Sequence, residues 1–158
     1  MAKVFNTRDS RLAAGFRLAL PAIWLGLIIG ISLIEAPLKF QAPGITIPLG
    51  LGIGRLVFTA MNWVEIVIAV ILLWAVLKDS VGRMFRGLSF GLMAVLAIKV
   101  TFIRPLLNMR TDAVLAGVDD GGSSWHYLYI AADGLLIVGL VAAIIVGMRR
   151  WVAVRPGV

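Results

Sequence analysis

Four long apolar stretches constrain the fold of this chain more than any other feature of its sequence. They lie at about residues 18–34, 53–77, 88–103 and 127–148. A helix of about 20 residues crosses the hydrocarbon core of a bilayer, and in lipid a helix satisfies its own backbone hydrogen bonds. We therefore predict an all-α fold, a polytopic membrane protein in which a four-transmembrane-helix bundle forms a single membrane domain over residues 1–158.

The composition excludes several classes of soluble protein. Hydrophobic residues make up 61% of the chain and charged residues 15%, a balance typical of membrane proteins. In a membrane protein the surplus of basic residues behind the formal net charge of +7 sets the orientation in the membrane. We therefore do not interpret this charge as a nucleic-acid signal and expect no nucleic-acid partner. The chain has no cysteine and one histidine, which excludes disulfides, thiolate metal sites and a multi-histidine site within one chain.

The distribution of basic residues predicts the orientation of the bundle. Cytoplasmic loops of membrane proteins carry an excess of lysine and arginine. One side would hold most of the basic residues, namely Lys3, Arg8, Arg11, Arg17, Lys78, Arg83, Arg86, Arg149, Arg150 and Arg155. The other side would hold Lys39, Arg104 and Arg110, diluted by acidic residues. Both the N- and C-termini are therefore predicted to be cytoplasmic.

The connection after the first apolar stretch, IEAPLKFQAPGITIPLGLGIGR, is itself apolar but rich in proline and glycine. Pro37, Pro43 and Pro48 oppose a continuous helix. We predict that residues 35–52 form a re-entrant or interfacial segment at the outer mouth of the bundle. An amphipathic surface loop with Lys39 at the lipid head groups is the alternative, so the direction of Lys39 distinguishes the two.

Three ionisable residues, Glu65, Lys99 and Asp133, lie inside the predicted spans. Counted from the flanking cytoplasmic charges at about 1.5 Å per residue, all three reach a similar depth in the outer half of the bilayer. Because lipid is a poor environment for a charge, Lys99 is predicted to point inward, toward Glu65, Asp133 or both. The layer is either a functional site or a buried ion network that fixes the helix register.

A polar face on the second span leads from this layer toward the outer surface, because Arg55, Thr59 and Asn62 lie close together on a helical wheel and Glu65 follows them. The predicted intramembrane polar site consists of Glu65, Lys99, Asp133, Asn62 and Arg55. Its predicted outer mouth consists of Glu35, Lys39, Arg104 and His126. An interfacial aromatic belt is the alternative explanation for His126, which follows Trp125 and precedes Tyr127.

Small residues recur at four-residue spacing along every span. They are Gly26 and Gly30, Gly50 and Gly54, Gly87 and Gly91, then Gly139, Ala143 and Gly147. In lipid, close backbone approach at small residues is a main source of helix packing. The pattern predicts a compact bundle, and any small-residue face that the bundle does not use would favour a further packing partner.

Four short motifs carry a resemblance to a known family: EAPLKF, GRLVF, RPLLNMR and WHYLYIAADG. They resemble the pattern of a family of uncharacterised four-helix bacterial integral membrane proteins, similar in turn to the animal transmembrane protein associated with cisplatin resistance and to copper-resistance membrane domains. The resemblance implies a multi-pass protein of the bacterial cytoplasmic (inner) membrane without an assigned reaction. The family features that it marks are Pro37, Phe40, Gly54, Arg55, Phe58, Pro105, Arg110 and His126.

Two features of the chain depart from the family pattern. Lys39, Lys99 and Asp133 have no place in it, so the charged layer is specific to this chain. Copper handling needs clustered histidine, methionine or cysteine ligands, and the chain has only one histidine and no cysteine.

Three functions are compatible with the sequence. The first is a small integral membrane protein that handles or binds a solute, ion or lipid at the charged site, which opens to the outer face. The alternative is an accessory or structural subunit of a larger membrane complex. The third is a membrane enzyme acting on a lipid or quinone, although the sequence shows no catalytic nucleophile with an adjacent base.

Partners and cofactors are only weakly constrained. Membrane lipids and either further copies of the chain or a larger membrane complex are the expected partners. No metal or nucleotide motif is present, so the cofactor is unknown and a bound lipid is the candidate.

Overall fold

The structure is a computed structural model that describes residues 11–78, 81–118 and 124–152. These residues form four long helices joined by short connections. The first helix consists of an α-helical segment Arg11–Ile28, a π-helical segment Ile29–Glu35, a short α-helical segment Ala36–Leu38 and a 3₁₀ turn Lys39–Gln41. The second helix is Ile47–Lys78 and the fourth is Ser124–Trp151. The third helix consists of α-helical segments Arg83–Ile98 and Arg104–Leu115 with a π-helical segment Lys99–Ile103 between them. All four are long and apolar enough to cross a membrane. The prediction of an all-α chain with four such helices is confirmed.

The helices are longer than predicted. Residues 35–52 do not form a separate segment, because the first helix continues to Gln41 and the second begins at Ile47. Only the turn at 42–46 interrupts them, with Gly44 at a φ of 79° that favours glycine. The third helix, predicted to end near residue 103, continues to Leu115. Most of the proline-rich stretch is therefore helical, and only residues 42–46 form a tight turn between the first and second helices.

Two prolines are accommodated without breaking a helix. Pro37 and Pro105 each follow a π-helical segment by one residue, at the start of the next α-helical segment. Proline in a helix lacks an N–H donor and crowds the carbonyl one turn earlier, and the wider π turn relieves that crowding. Pro48 lies in the first turn of the second helix, where its missing N–H costs nothing.

The four helices form a ring in which each packs on its two sequence neighbours, and the fourth closes the ring on the first. We call the end where the first helix begins and the fourth ends the terminal end, and the end with the 42–46 turn the distal end. Between the terminal end and the middle, the core is apolar; it includes Ile68, Leu72, Leu92, Leu96, Leu136 and Leu140. Many large apolar side chains on the outside of the ring are exposed, in keeping with four helices that are long and apolar enough to cross a membrane.

The glycines divide into two groups. Gly50, Gly54, Gly139 and Gly147 lie so close to neighbouring side chains that an added methyl group would crowd Phe40, Lys39, Leu92 and Leu18 respectively. By contrast, an added methyl group at Gly26, Gly30, Gly87 or Gly91 would meet no atom within 4 Å. These two pairs therefore do not serve helix packing inside the bundle.

A buried arginine ties the terminal end together. Arg17 is fully buried, and its Nε and one terminal nitrogen donate to the carbonyl oxygen of Ala75 at 2.9 and 2.7 Å. Ala75 belongs to the last turn of the second helix, whose carbonyls have no partner within the helix. The Arg17 guanidinium also lies 5.5 Å from the ring centre of Trp151. One side chain thus connects the first, second and fourth helices.

Candidate functional site

A buried cluster of three charged side chains lies in the middle of the ring. The Lys99 ammonium nitrogen lies 2.8 Å from Glu65 Oε1 and 2.7 Å from Asp133 Oδ1. The Lys99 and Glu65 side chains are fully buried, and that of Asp133 is 3% exposed. We call these three residues the ion triad. Each comes from a different helix, so the triad fixes the second, third and fourth helices relative to one another.

The first helix completes the cluster with two donors. The indole nitrogen of Trp24 donates to Glu65 Oε1 at 2.9 Å, and the Ser32 hydroxyl donates to Asp133 Oδ2 at 2.6 Å. Trp24 lies in the α-helical part of the first helix and Ser32 in its π-helical segment, and both side chains reach the cluster. All four helices therefore contribute to the cluster. The two donors from the first helix are important because a buried ion pair is stable only when the remaining lone pairs of its carboxylates also accept hydrogen bonds.

The two carboxylates are bonded differently. Both oxygens of Asp133 accept a hydrogen bond, one from Lys99 and one from Ser32. On Glu65, both donors point to Oε1. The Lys99 nitrogen is also 2.8 Å from Oε2, but the angle at this contact is unsuitable for a hydrogen bond. Among the described residues, Oε2 is therefore a buried side-chain oxygen that accepts no hydrogen bond.

Polar contacts continue from the triad toward the distal end. Tyr129, one turn before Asp133, donates its hydroxyl to Asn62 Oδ1 at 2.9 Å, and both side chains are buried. The Lys99 nitrogen lies 5.0 Å from the centre of the Tyr129 ring, a cation–π contact. The Asn62–Tyr129 pair is therefore the next polar level above the triad.

One turn further out, Arg104 forms the third level. It is 7% exposed and donates to the carbonyl of Arg55 at 2.7 Å and to the Thr59 hydroxyl at 3.1 Å. Its guanidinium lies 5.8 Å from the centre of the Phe58 ring, which in turn makes an edge contact with Tyr129. In the described residues no carboxylate forms an ion pair with Arg104, whereas Arg55 pairs with Asp112.

The predicted mouth residues meet only in part. Lys39 points into the bundle: its side chain is 10% exposed, pairs with Glu35 at 3.3 Å and lies 5.4 Å from the centre of the Phe58 ring. Arg104 lies within the third helix, as the first residue of its last α-helical segment, and not in a connecting loop. His126 is exposed in the first turn of the fourth helix, and its described ring contact is with Tyr127, 6.3 Å away. The structure thus brings Lys39 and Arg104 to the Phe58 ring, with Glu35 paired to Lys39, and leaves His126 outside.

Sequence reasoning missed three partners of the triad, namely Trp24, Ser32 and Tyr129. A signal for one of them was present, because Tyr129 precedes Asp133 by four residues and so lies on the same helical face. The sequence signal for Trp24 and Ser32 was weaker: both are hydrogen-bond donors in a span that is otherwise apolar. Arg104 was placed in a connection, because the polar sequence RPLLNMR resembles a helix end.

Loss of the Tyr129 hydroxyl should destabilise the bundle measurably. Tyr129→Phe leaves the buried Asn62 oxygen without its donor, which we expect to reduce the free energy of unfolding by about 1–3 kcal/mol. Thermal unfolding in lipid nanodiscs followed by circular dichroism measures this effect. Tyr127→Phe is the matched control, since Tyr127 is 74% exposed; equal stability of the two variants would contradict the role of the Asn62–Tyr129 bond.

Comparison of the chain with protein-family models, with curated proteins and with solved structures gives no match. The family resemblance drawn from the four short motifs therefore stays a prediction.

Proposed function

We propose that this chain is a small integral membrane protein that binds a small solute or ion at the ion triad and exchanges it with the outer side of the membrane. The triad is a charged site enclosed by four helices, with the proposed access route running from Lys39 and Arg104 past Asn62 and Tyr129. In this proposal the bundle lies in the bacterial cytoplasmic membrane with both termini in the cytoplasm. The distal end then faces outward.

One observation carries the proposal: hydrogen-bonded polar side chains follow the triad turn by turn toward the distal end, whereas toward the terminal end an apolar layer separates the triad from the buried Arg17. Toward the distal end, each helical turn brings a further polar pair, first Asn62 with Tyr129 and then Thr59 with Arg104. Toward the terminal end, the described core next to the triad consists of leucine and isoleucine side chains. A purely structural ion network has no need of this one-sided extension, whereas a site that exchanges its ligand with one side of the membrane does.

The charge balance also supports a ligand. The triad holds two carboxylates against one ammonium, a formal charge of −1, and Arg104 has no ionic partner within the described ranges. Uncompensated buried charge is costly. A ligand or proton that binds near the triad would remove part of this cost.

One-sided access can be measured by thiol labelling, because the chain contains no cysteine. Ser32→Cys keeps a small side chain beside Asp133, at the triad. We expect a membrane-impermeant maleimide added to intact cells to label Ser32→Cys, since the proposed route brings water to it from the outer side. The matched control is Val64→Cys, which lies beside Glu65 in sequence but is 45% exposed on the outside of the ring, where lipid excludes the reagent.

Two outcomes would contradict the proposal. Labelling of Ser32→Cys only in inverted vesicles would place the access route on the cytoplasmic side. No labelling from either side, although the denatured variant reacts fully, would make the triad a closed ion network.

A second candidate, an accessory subunit or oligomer-forming protein, is favoured by the unused glycines. Gly26 and Gly30 on the first helix, and Gly87 and Gly91 on the third, present flat faces that nothing in the described bundle covers. Flat small-residue faces allow another transmembrane helix to approach closely. Purification from native membranes in mild detergent tests this, because a monodisperse single chain without partners would count against it.

A further inference from the structure

The ion triad lacks one positive charge. Lys99 supplies one ammonium to two carboxylates that are both shielded from solvent. The side chains that contact the triad are Trp24, Ser32 and Tyr129. Beyond Tyr129 toward the distal end lie Asn62 and then Arg104. Of these only Arg104 is cationic, and it lies five residues beyond Lys99, with the Asn62–Tyr129 pair between. No second cation forms an ion pair with either carboxylate among the described residues, which leaves a bound species as the candidate for the compensating charge.

We propose that this species is a proton and that it resides on Glu65, so that the site proposed above is a proton-binding site. This inference rests on the proposed function and names its ligand. A proton is small enough to bind within a cluster whose polar atoms are already in contact. With the proton bound, the triad consists of one neutral carboxyl group and one Lys99–Asp133 ion pair.

The hydrogen bonds identify Glu65 as the proton carrier. An ionised carboxylate accepts at both oxygens, whereas a protonated carboxyl group has one accepting carbonyl oxygen and one hydroxyl. Asp133 accepts at both oxygens, at 2.7 and 2.6 Å, and so has the pattern of the ionised form. Glu65 receives Trp24 and Lys99 at Oε1 and no hydrogen bond at Oε2, which assigns Oε1 as the carbonyl oxygen and Oε2 as the hydroxyl.

The proton reaches the triad from the distal side. The Tyr129 hydroxyl and the Asn62 amide lie directly above the triad on that side, and the Thr59 hydroxyl and Arg104 follow. Release of the proton leaves a second negative charge beside Lys99, whose ammonium already lies 2.8 Å from both Glu65 oxygens. Lys99 therefore stabilises the deprotonated state, so that the proton can leave as well as bind.

Infrared spectroscopy tests this directly, because the C=O stretch of a protonated carboxyl group is distinct from the bands of a carboxylate. We expect purified protein in lipid nanodiscs at neutral pH to show one such band, which shifts when the buffer is exchanged to D₂O. The band should be lost in Glu65→Gln and kept in Glu35→Gln, the matched control with a partly exposed carboxylate.

A second measurement keeps the test independent of folding defects. Glu65→Gln imitates the neutral carboxyl group, so its thermal unfolding temperature should stay close to that of the unchanged protein. Asp133→Asn removes the ionised partner of Lys99, so its unfolding temperature should fall clearly. The opposite order would place the proton on Asp133 and overturn the assignment.

Three further results would overturn the proposal. Absence of the carboxylic band would show that both carboxylates are ionised, and heat released on titration with NaCl or KCl would then identify a metal cation as the missing charge. A band that persists in Glu65→Gln would place the proton elsewhere. If the Glu65 band never shifts in D₂O, the proton on Glu65 does not exchange with solvent and is therefore not a ligand that binds and leaves. The labelling of Ser32→Cys is read separately, so outer access can stand while the proton assignment fails, and the reverse.

Discussion

Replacement of Lys99 by methionine is expected to destabilise the protein by about 3–5 kcal/mol, the usual cost of removing one partner from a buried ion pair. Methionine fills a similar volume, so the loss comes from charge and not from a cavity. It leaves the carboxyl groups of Glu65 and Asp133 without their shared cation, and both are buried. Thermal unfolding in nanodiscs, together with the yield of folded protein, measures the effect.

The rescue of this variant is the more informative half of the experiment. The triple variant combines Lys99→Met with Glu65→Gln and Asp133→Asn, so the triad no longer carries any charge. We expect most of the lost stability to return in this variant. Lys78→Met is the control, since Lys78 is exposed at the terminal end and surface substitutions usually change stability by less than about 0.5 kcal/mol. A combined variant as unstable as Lys99→Met would show that the ion pairs themselves stabilise the bundle.

Recovery of stability without recovery of function would separate the two roles of the triad. Substitutions that are neutral for stability but abolish the carboxylic band and its exchange would show that the charges are retained for the ligand. The triad would then be a functional site in a bundle that could fold without it.

Replacement of Arg17 by leucine should have the second-largest effect, about 2–3 kcal/mol. The guanidinium donates twice to the Ala75 carbonyl, and hydrogen bonds from a charged donor contribute about 1.5–3 kcal/mol. Loss of the contact with Trp151 adds to this cost. Arg17→Lys should recover part of the stability, because lysine keeps the charge but lacks the planar fork of donors.

Arg83→Leu is the matched control for Arg17→Leu. Arg83 lies at the same end of the bundle but is exposed, and surface substitutions usually change stability by less than about 0.5 kcal/mol. Chemical unfolding followed by circular dichroism compares the variants. Equal destabilisation by both would indicate an effect of net charge at the terminal end, contrary to a specific role for the Arg17–Ala75 bonds.

The sequence predicted the number and type of helices well because apolar length alone determines them. It also predicted that Lys99 points inward, since an isolated cation facing lipid is unfavourable. The partners of the triad were harder to predict: Trp24 and Ser32 lie 41 and 101 residues from the carboxylates to which they donate. No local pattern encodes such distances.

The ends of the helices were predicted poorly for a different reason. Prolines and polar residues near Pro37 and Pro105 indicate helix ends under the rules for a regular α-helix. In the structure each helix continues through a π-helical segment instead. A rule based on regular geometry cannot foresee this, because the widened turn depends on packing against the neighbouring helices.

The π-helical segment Lys99–Ile103 has a consequence for the spacing of charges. In an α-helix, positions five residues apart differ by about 140° around the axis, so Lys99 and Arg104 could not both face the interior. The i→i+5 repeat of the π turn brings both inward, and both are buried. Removal of one residue between them would leave the two cations four positions apart, about 40° around a regular α-helix, so both would still face the interior. The π segment thus acts as one extra residue that the helix accommodates, and a single-residue deletion there should be tolerated better than an insertion, which would rotate one of the two cations to the outside of the bundle.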